Sequence, residues 1–215
     1  MNRLYAIGDI HGCYGALYAL LEKIKPDPKQ DRVIFLGDYI NRGNDSKKVI
    51  DRLIEFKQLY PRSIFLKGNH EVMFLNYLNG SRETLFLQSG GLETLDSYGI
   101  IPPNTEAARR KVPSSHKLFL LDLLPYWEER DYIFVHAGME KGRHPSMQKQ
   151  DWLYWADKEK FIQQSFPKNH KKIIFGHFAQ KAPLIMADKI GIDSGAAYGG
   201  KLTCLILPDM IFVTS

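Results

Sequence analysis

The chain has 215 residues, 44% hydrophobic and 25% charged, with 17 Gly, 11 Pro and a formal net charge of +5. That length supports one sizeable core without disulfide or metal staples, and the composition excludes collagen-like, low-complexity and wholly disordered chains. No apolar run approaches the ~18 residues of a membrane span. The N-terminus reaches Gly8-Asp9 too early for a signal peptide, so a soluble cytoplasmic protein without a membrane partner is expected.

In chain order, a short apolar run recurs and ends each time in glycine and polar residues. Leu4-Tyr5-Ala6-Ile7 runs into Gly8-Asp9-Ile10-His11-Gly12, and Val33-Ile34-Phe35-Leu36 into Gly37-Asp38-Tyr39-Ile40-Asn41-Arg42-Gly43. Ile64-Phe65-Leu66-Lys67 runs into Gly68-Asn69-His70-Glu71, Tyr132-Ile133-Phe134-Val135 into His136-Ala137-Gly138, and Ile173-Ile174-Phe175 into Gly176-His177. Such short, uniformly apolar runs predict strands buried on both faces.

Between the first runs, Leu17, Leu20, Leu21 and Ile24 mark one helix face, and Val49, Leu53 and Phe56 a second, with Asp45 or Ser46 as its cap. The alternation calls for an α/β chain with a largely parallel sheet covered by helices. From about 79 to 125 the pattern is mostly helical, broken at Gly90-Gly91 and Pro102-Pro103. It reads as a cap-like insertion within a single domain spanning 1–215. After His177, the segments 189–192, 202–207 and 211–213 predict strands without helices, as a β-rich second sheet.

Ligands of open α/β sheets bind beyond the carboxyl ends of the strands. Five predicted strands deliver Asp9, His11, Asp38, Asn69, His70, His136 and His177 to that edge. The donors are oxygen and imidazole without thiolate, which suits Mn, Fe, Zn or, less tightly, Mg. They exceed what one catalytic zinc needs, so two ions sharing a bridging aspartate are expected. Two such ions can lower the pKa of a bound water and clamp phosphoryl oxygens. Cys13 and Cys204 form no CxxC pair and read as reduced thiols. The positive net charge suits an anionic substrate. The densest basic stretch, Lys168-Asn169-His170-Lys171-Lys172, reads as a solvated loop and lacks the interleaved aromatics of a nucleic-acid site.

GDIHG at 8–12, GDYINRG at 37–43, GNHE at 68–71, HAG at 136–138, GH at 176–177 and GIDSGA at 191–196 resemble the calcineurin-like metallophosphoesterases. The closer resemblance is to the bacterial branch of the PPP-type serine/threonine protein phosphatases. It implies a β-sandwich flanked by helices, an α/β/β/α arrangement. It further implies that Asp9 and His11 bind a first metal, Asp38 bridges both, and Asn69, His136 and His177 bind the second. His70 is then the general acid and Arg42 the phosphate-binding residue. The implied substrate is a phosphorylated protein or a small phosphoester, and the implied cofactor two divalent ions, manganese foremost. A symmetrical diadenosine tetraphosphate hydrolase is the alternative enzyme, and a phosphatase-like binding protein of weak or no activity the alternative of another class.

Two departures bear on activity. Asn41 stands where the resembled pattern has an aspartate paired with the general acid, which predicts a weaker acid favouring good leaving groups. Asp157, in Trp155-Ala156-Asp157, stands where bacterial relatives often carry an arginine, predicting weaker phosphate affinity. Arg143 and His144 are weak candidates to replace that contact, and Tyr198, on a glycine-rich loop, is a candidate substrate contact. Glu71 reads as a helix-start residue, Trp127, Trp152, Tyr126 and Tyr154 as packing residues, and His116 and His170 as surface residues.

Overall fold

A computed structural model describes residues 2–215. The predicted alternation forms as β1 (Leu4–Ile7), α1 (Tyr14–Ile24), β2 (Arg32–Phe35), α2 (Ser46–Leu59), β3 (Ile64–Phe65) and α3 (Asn69–Leu78). Leu17, Leu20, Leu21 and Ile24 of α1 and Val49, Leu53 and Phe56 of α2 are buried as the periodicity requires. A helical stretch follows: α4 (Glu83–Phe86), a π-helical turn (Leu87–Gly91), α5 (Leu92–Ser97), α6 (Thr105–Lys111) and α7 (Ser114–Leu121). Its members pack along α2 and α3 and share their apolar core on the outer face of β1 and β2.

The remaining elements are β4 (Tyr126–Glu129), β5 (Tyr132–Val135), α8 (Gln150–Trp155), α9 (Lys158–Gln163), β6 (Lys172–Phe175), β7 (Leu184–Ile185), β8 (Lys189–Gly191), β9 (Thr203–Leu207) and β10 (Ile211–Thr214). The strands form two five-stranded sheets, in the orders β10-β9-β1-β2-β3 and β4-β5-β6-β8-β7. In the first, β1, β2 and β3 are parallel, and β9 runs antiparallel to its two neighbours, β1 and β10. In the second, β5, β6 and β8 are parallel and β4 and β7 antiparallel.

This corrects the expected division. The C-terminal strands do not form a sheet of their own: β8 joins β6, whereas β9 and β10 join β1. Nor do the five motif-bearing strands share one sheet. Burial on both faces identifies such strands but does not record their partners. Along β1, Leu4 and Ala6 enter the layer between the sheets with Ile34, Phe134, Ile174 and Leu205, while Tyr5 and Ile7 face the helices. Truncating one of the fully buried inner side chains, such as Ile34, to alanine costs about 2–5 kcal/mol. On the second sheet's outer face, Ile133, Ile173 and Phe175 pack against Leu153, Tyr154 and Phe161 of α8 and α9. The result is the expected helix–sheet–sheet–helix order. No described helix is long and apolar enough to cross a membrane.

Both sheets aim the carboxyl ends of their parallel strands at one rim, where the polar motifs meet. The cap expected of α2 is diverted to this rim. Asp45 occupies the N-cap position without a side-chain capping bond, and the Ser46 hydroxyl instead accepts the Asn41 N–H at 3.1 Å.

Candidate active site

Asp38, at the end of β2, stands at the centre of the rim. Its Oδ2 lies 3.5 Å from His11 Nε2 and 3.8 Å from His70 Nε2, and its Oδ1 lies 3.4 Å from His136 Nε2. Two groups of donor atoms result, His11–Asp38–His70 and Asp38–His136–His177, with all atoms of each group within 4.8 Å of one another. His11 follows β1, His70 opens α3, and His136 and His177 follow β5 and β6, so the second sheet supplies one side of the centre. Asp9 joins from beneath, its carboxylate accepting the His177 N–H at 3.0 and 3.1 Å.

The backbone is bent to make this convergence. His11, Asp38, Asn41, Arg42 and His177 have φ of 47, 51, 72, 70 and 64°, the left-handed region that costs a non-glycine residue on the order of 1–3 kcal/mol. Strain repeated at five residues of one rim marks a site whose geometry the surrounding packing imposes. The adjoining glycines make room for the carboxylates. A Cβ at Gly176 would overlap Asp9 Oδ1, and one at Gly68 would overlap Asp38 Oδ1.

Second partners fix which ring atoms face inward. His11 Nδ1 meets the Ile40 carbonyl at 3.0 Å and His136 Nδ1 the Leu36 carbonyl at 2.9 Å, so each Nδ1 donates and each Nε2 lone pair points into the centre. His136 Nε2 lies 3.2 Å from His177 Nδ1 and 3.0 Å from Asn69 Oδ1. Asn69 Oδ1 also stands 3.2 Å from both Asp38 oxygens and from His177 Nδ1. These atoms are all acceptors. Turning the Asn69 amide would satisfy some of them, but a cation satisfies all of them together, and oxygen with imidazole is a donor set for a divalent ion. The residues present therefore fit a metal centre.

Burial dominates the electrostatics. It pushes His11 down to about 4, and His70 and His177 down to about 3, so these rings are neutral. Burial also drives Asp9 well above the ordinary carboxylate range, with Asp193 and Asp38 adding to the shift. For Asp38 burial pushes the same way, but His136, His70 and His11 outweigh it and hold the carboxyl well below its usual value.

Residues 2–202 match the family described as calcineurin-like phosphoesterase. The chain belongs to that family. Among curated proteins it is 28% identical over 210 residues to serine/threonine-protein phosphatase 1 of Salmonella typhimurium, covering 94% of this chain and 90% of that one. It is 27% identical over 231 residues to the asymmetrical bis(5'-nucleosyl)-tetraphosphatase PrpE of a Geobacillus species, covering 95% and 90%. Among solved structures, the cold-active protein-tyrosine phosphatase of a psychrophilic Shewanella superposes with a TM-score of 0.71 at 17% identity, covering 100% of this chain and 80% of that one. At that identity the likeness concerns the fold alone.

As a calcineurin-like phosphoesterase the chain is a hydrolase of phosphoesters, and its departures from the resembled pattern take definite form. Asn41 Nδ2 donates to His70 Nδ1 at 2.9 Å, and Asn41 Oδ1 accepts the Thr94 hydroxyl at 2.7 Å. Thr94 in turn accepts the Asn41 N–H at 2.9 Å. The amide is thereby oriented, His70 Nδ1 is an acceptor, and the ring proton resides on Nε2. Arg42 places Nη1 2.8 Å from His11 Nε2 and its guanidinium carbon 5.1 Å from the centroid of the Tyr198 ring. The Tyr198 ring is 64% exposed, over the mouth of the site. Asp157 is exposed and accepts the Lys160 N–H at 2.9 Å as the N-cap of α9. Arg143 and His144 are engaged by Glu140 and Glu128.

Three residues play a part that the sequence reading did not give them. Glu71 lies in the first turn of α3 as expected, yet its buried carboxylate also accepts the N–H groups of Asp38, Tyr39 and Gly68 at 2.8–2.9 Å. It thus ties the loop after β2 to the loop before α3. Asp193, following β8, is buried beside Asp9 and raises its pKa; its signal was the GIDSGA block. Thr94 lies 53 positions from its partner Asn41 in a segment without a motif, so nothing local announces it. His116 is a correction. Rather than lying on the surface it is 2% exposed, bonded to Tyr98 and to Asp51 at 2.8 Å each. His170 is half-buried against Phe166.

Proposed function

We propose that this phosphoesterase is a protein phosphatase, hydrolysing phosphomonoesters of serine, threonine or tyrosine, with manganese as its metal. The observation that carries the reading is the Asp38 carboxylate shared between two inward-facing imidazole groups, with the Arg42 guanidinium on one side of it. Asp9, His11 and Asp38 would hold one ion, and Asp38, Asn69, His136 and His177 the other. Iron, zinc and magnesium suit the same donors. Bound there, a pair of divalent ions supplies a water of lowered pKa and a clamp for phosphoryl oxygens.

The chain's own groups would do the rest. The Arg42 fork matches two phosphate oxygens, and Tyr198 over it would contact the group attached to the phosphate. His70 would pass its Nε2 proton to the departing oxygen. Because that ring is a neutral donor held by an amide, it is a weaker acid than one paired with a carboxylate. Substrates leaving as low-pKa oxygens, such as phenoxides, should therefore be favoured. The free thiols Cys13 and Cys204 accord with a cytoplasmic location.

A second reading, hydrolysis of dinucleoside tetraphosphates, is favoured by one observation. A cavity of about 420 Å³ adjoins Tyr198 and is lined in part by Gln180, Lys181 and Ser194, giving room and a cation for a nucleotide. The relatives that bear such a name are described as asymmetrical, unlike the symmetrical hydrolase expected from the sequence. The test is to strip metals, restore Mn²⁺, Mg²⁺, Zn²⁺ or Ni²⁺ singly, and assay a phosphopeptide beside a dinucleoside tetraphosphate. Preferred turnover of the phosphopeptide supports the protein-phosphatase reading. Preferred turnover of the dinucleotide overturns it for the second, and silence with every metal points to a binding protein.

A further inference from the structure

Two basic pieces of the sequence, far apart in the chain, meet on the second sheet away from the Asp38 centre. The loop that follows His136 folds against the loop that precedes β6, and between them lies a cavity of about 450 Å³. Lys141, Arg143 and His144 line it from one side and His170 and Lys171 from the other, with Ile133 and two prolines, Pro145 and Pro167, adding apolar surface. One carboxylate, Glu128, faces this group, and it is already shared by Lys171 at 2.8 Å and His144 at 3.1 Å. Arg143 pairs with Glu140 at 2.7 Å. Lys141 and His170 take part in no ion pair among the described residues, and Lys168 and Lys172 flank the rim in sequence.

Glu128 and Glu140 thus pair with two of the three permanent cations of the lining, leaving Lys141 unpaired among the described residues beside two imidazoles and a partly apolar floor. That chemistry selects an anionic occupant with some apolar surface. No Phe, Tyr or Trp lines the cavity, so it lacks the stacking platform on which single-stranded nucleic acid relies. A bare phosphate would make no use of Ile133 and the prolines. We propose that this cavity is a docking site for a short acidic segment of a protein substrate, the occupant resting on the protein-phosphatase reading. The wall of the cavity and the rim of the active site belong to one loop, since Lys141 follows His136 by only five positions. A segment held here would tether the phosphoresidue attached to it to the protein.

The test is fluorescence anisotropy of the whole protein with a labelled, unphosphorylated peptide rich in Asp and Glu, at low and high salt. Saturable binding is expected, weakening as salt screens the charges. Lys141→Glu breaks no ion pair, and is expected to weaken binding by about tenfold. Adding Lys171→Glu should remove it. Turnover of p-nitrophenyl phosphate by the metal-loaded variants should stay within about twofold of the parent, while KM rises for an acidic phosphopeptide and not for a neutral one. Equal binding by parent and both variants would overturn the proposal. So would an RNA oligonucleotide that binds more tightly than the peptide and responds to the same substitutions. The binding arm needs no turnover. If phosphopeptides are not hydrolysed but the charge reversals abolish peptide binding, the docking site stands and the substrate reading falls; the opposite pattern removes the docking site alone.

Discussion

On one side of Asp38, Oδ2 faces His11 and His70; on the other, Oδ1 faces His136, with His177 and Asn69 beside it. The second side consists of acceptors pointed at one another. The first is interlaced with donors, Arg42 Nη1 toward His11 and Asn41 Nδ2 toward His70. One carboxylate thus divides a side of acceptors from a side that also carries donors, the side that on the proposed function would receive the phosphoryl group and deliver a proton. The difference follows from origin. His136 and His177 come from the second sheet, whereas Arg42 and Asn41 are steadied by the helical layer, through Gly90 O to the Arg42 N–H at 3.0 Å and through Thr94.

The sharpest way to break this division is Asp38→Asn, which affects both sides. Turnover of a small aryl phosphate should fall by about 10³-fold or more, and metal analysis should show bound ions falling from about two to one or none. Arg42→Ala acts on the first side alone. It should lower kcat/KM by about 10²-fold while metal content stays that of the parent, and joint loss of metal would show that the sides are not separable. Asn41→Asp is smaller and selective. Restoring a carboxylate behind His70 should raise turnover of alkyl phosphates by up to about tenfold and that of aryl phosphates little. An equal rise on both substrates would refute the weak-acid account.

The convergence of these side chains was largely legible in the sequence because each follows a strand end and most stand beside a glycine, so one topological rule gathers them. Which strands share a sheet was not legible. The buried faces of β9 and β6 look alike in sequence, and only the β1–β9 pairing, with Leu4 opposite Leu207, assigns the C-terminal strand to the first sheet. Thr94 and His116 were also hidden. Each is polar in a helical stretch, and its role is set by a partner on another element, Asn41 for the one and Asp51 for the other.

His116 offers a comparison with the histidines around Asp38, as a buried ring with ordinary hydrogen-bond partners. Burial holds its pKa below the ordinary value, with Asp51 opposing. The unfolded chain therefore binds the extra proton first as pH falls, so the contribution to stability is present above about pH 6.5 and is lost as pH drops through the folded-state value. In thermal melts, the loss of Tm on acidification from about pH 7 should be smaller in His116→Gln than in the parent. The smallest effect on catalysis is expected of Asp157→Arg. KM for an aryl phosphate should not change, since the side chain caps α9, while stability falls by about 0.5–2 kcal/mol. A lower KM would instead place position 157 beside the phosphate.

The donors gathered at Asp38 come from loops of two separate sheets, which are otherwise joined by the apolar layer of Leu4, Ile34, Phe134 and Ile174 and by edge contacts such as the Arg32–Glu129 ion pair. Ions seated among them would act as a rivet through the seam, and chelation would loosen the joint between the halves of the molecule as well as silence its chemistry. Tuning such an enzyme for metal affinity would then alter, by the same bonds, how firmly its two layers are fastened.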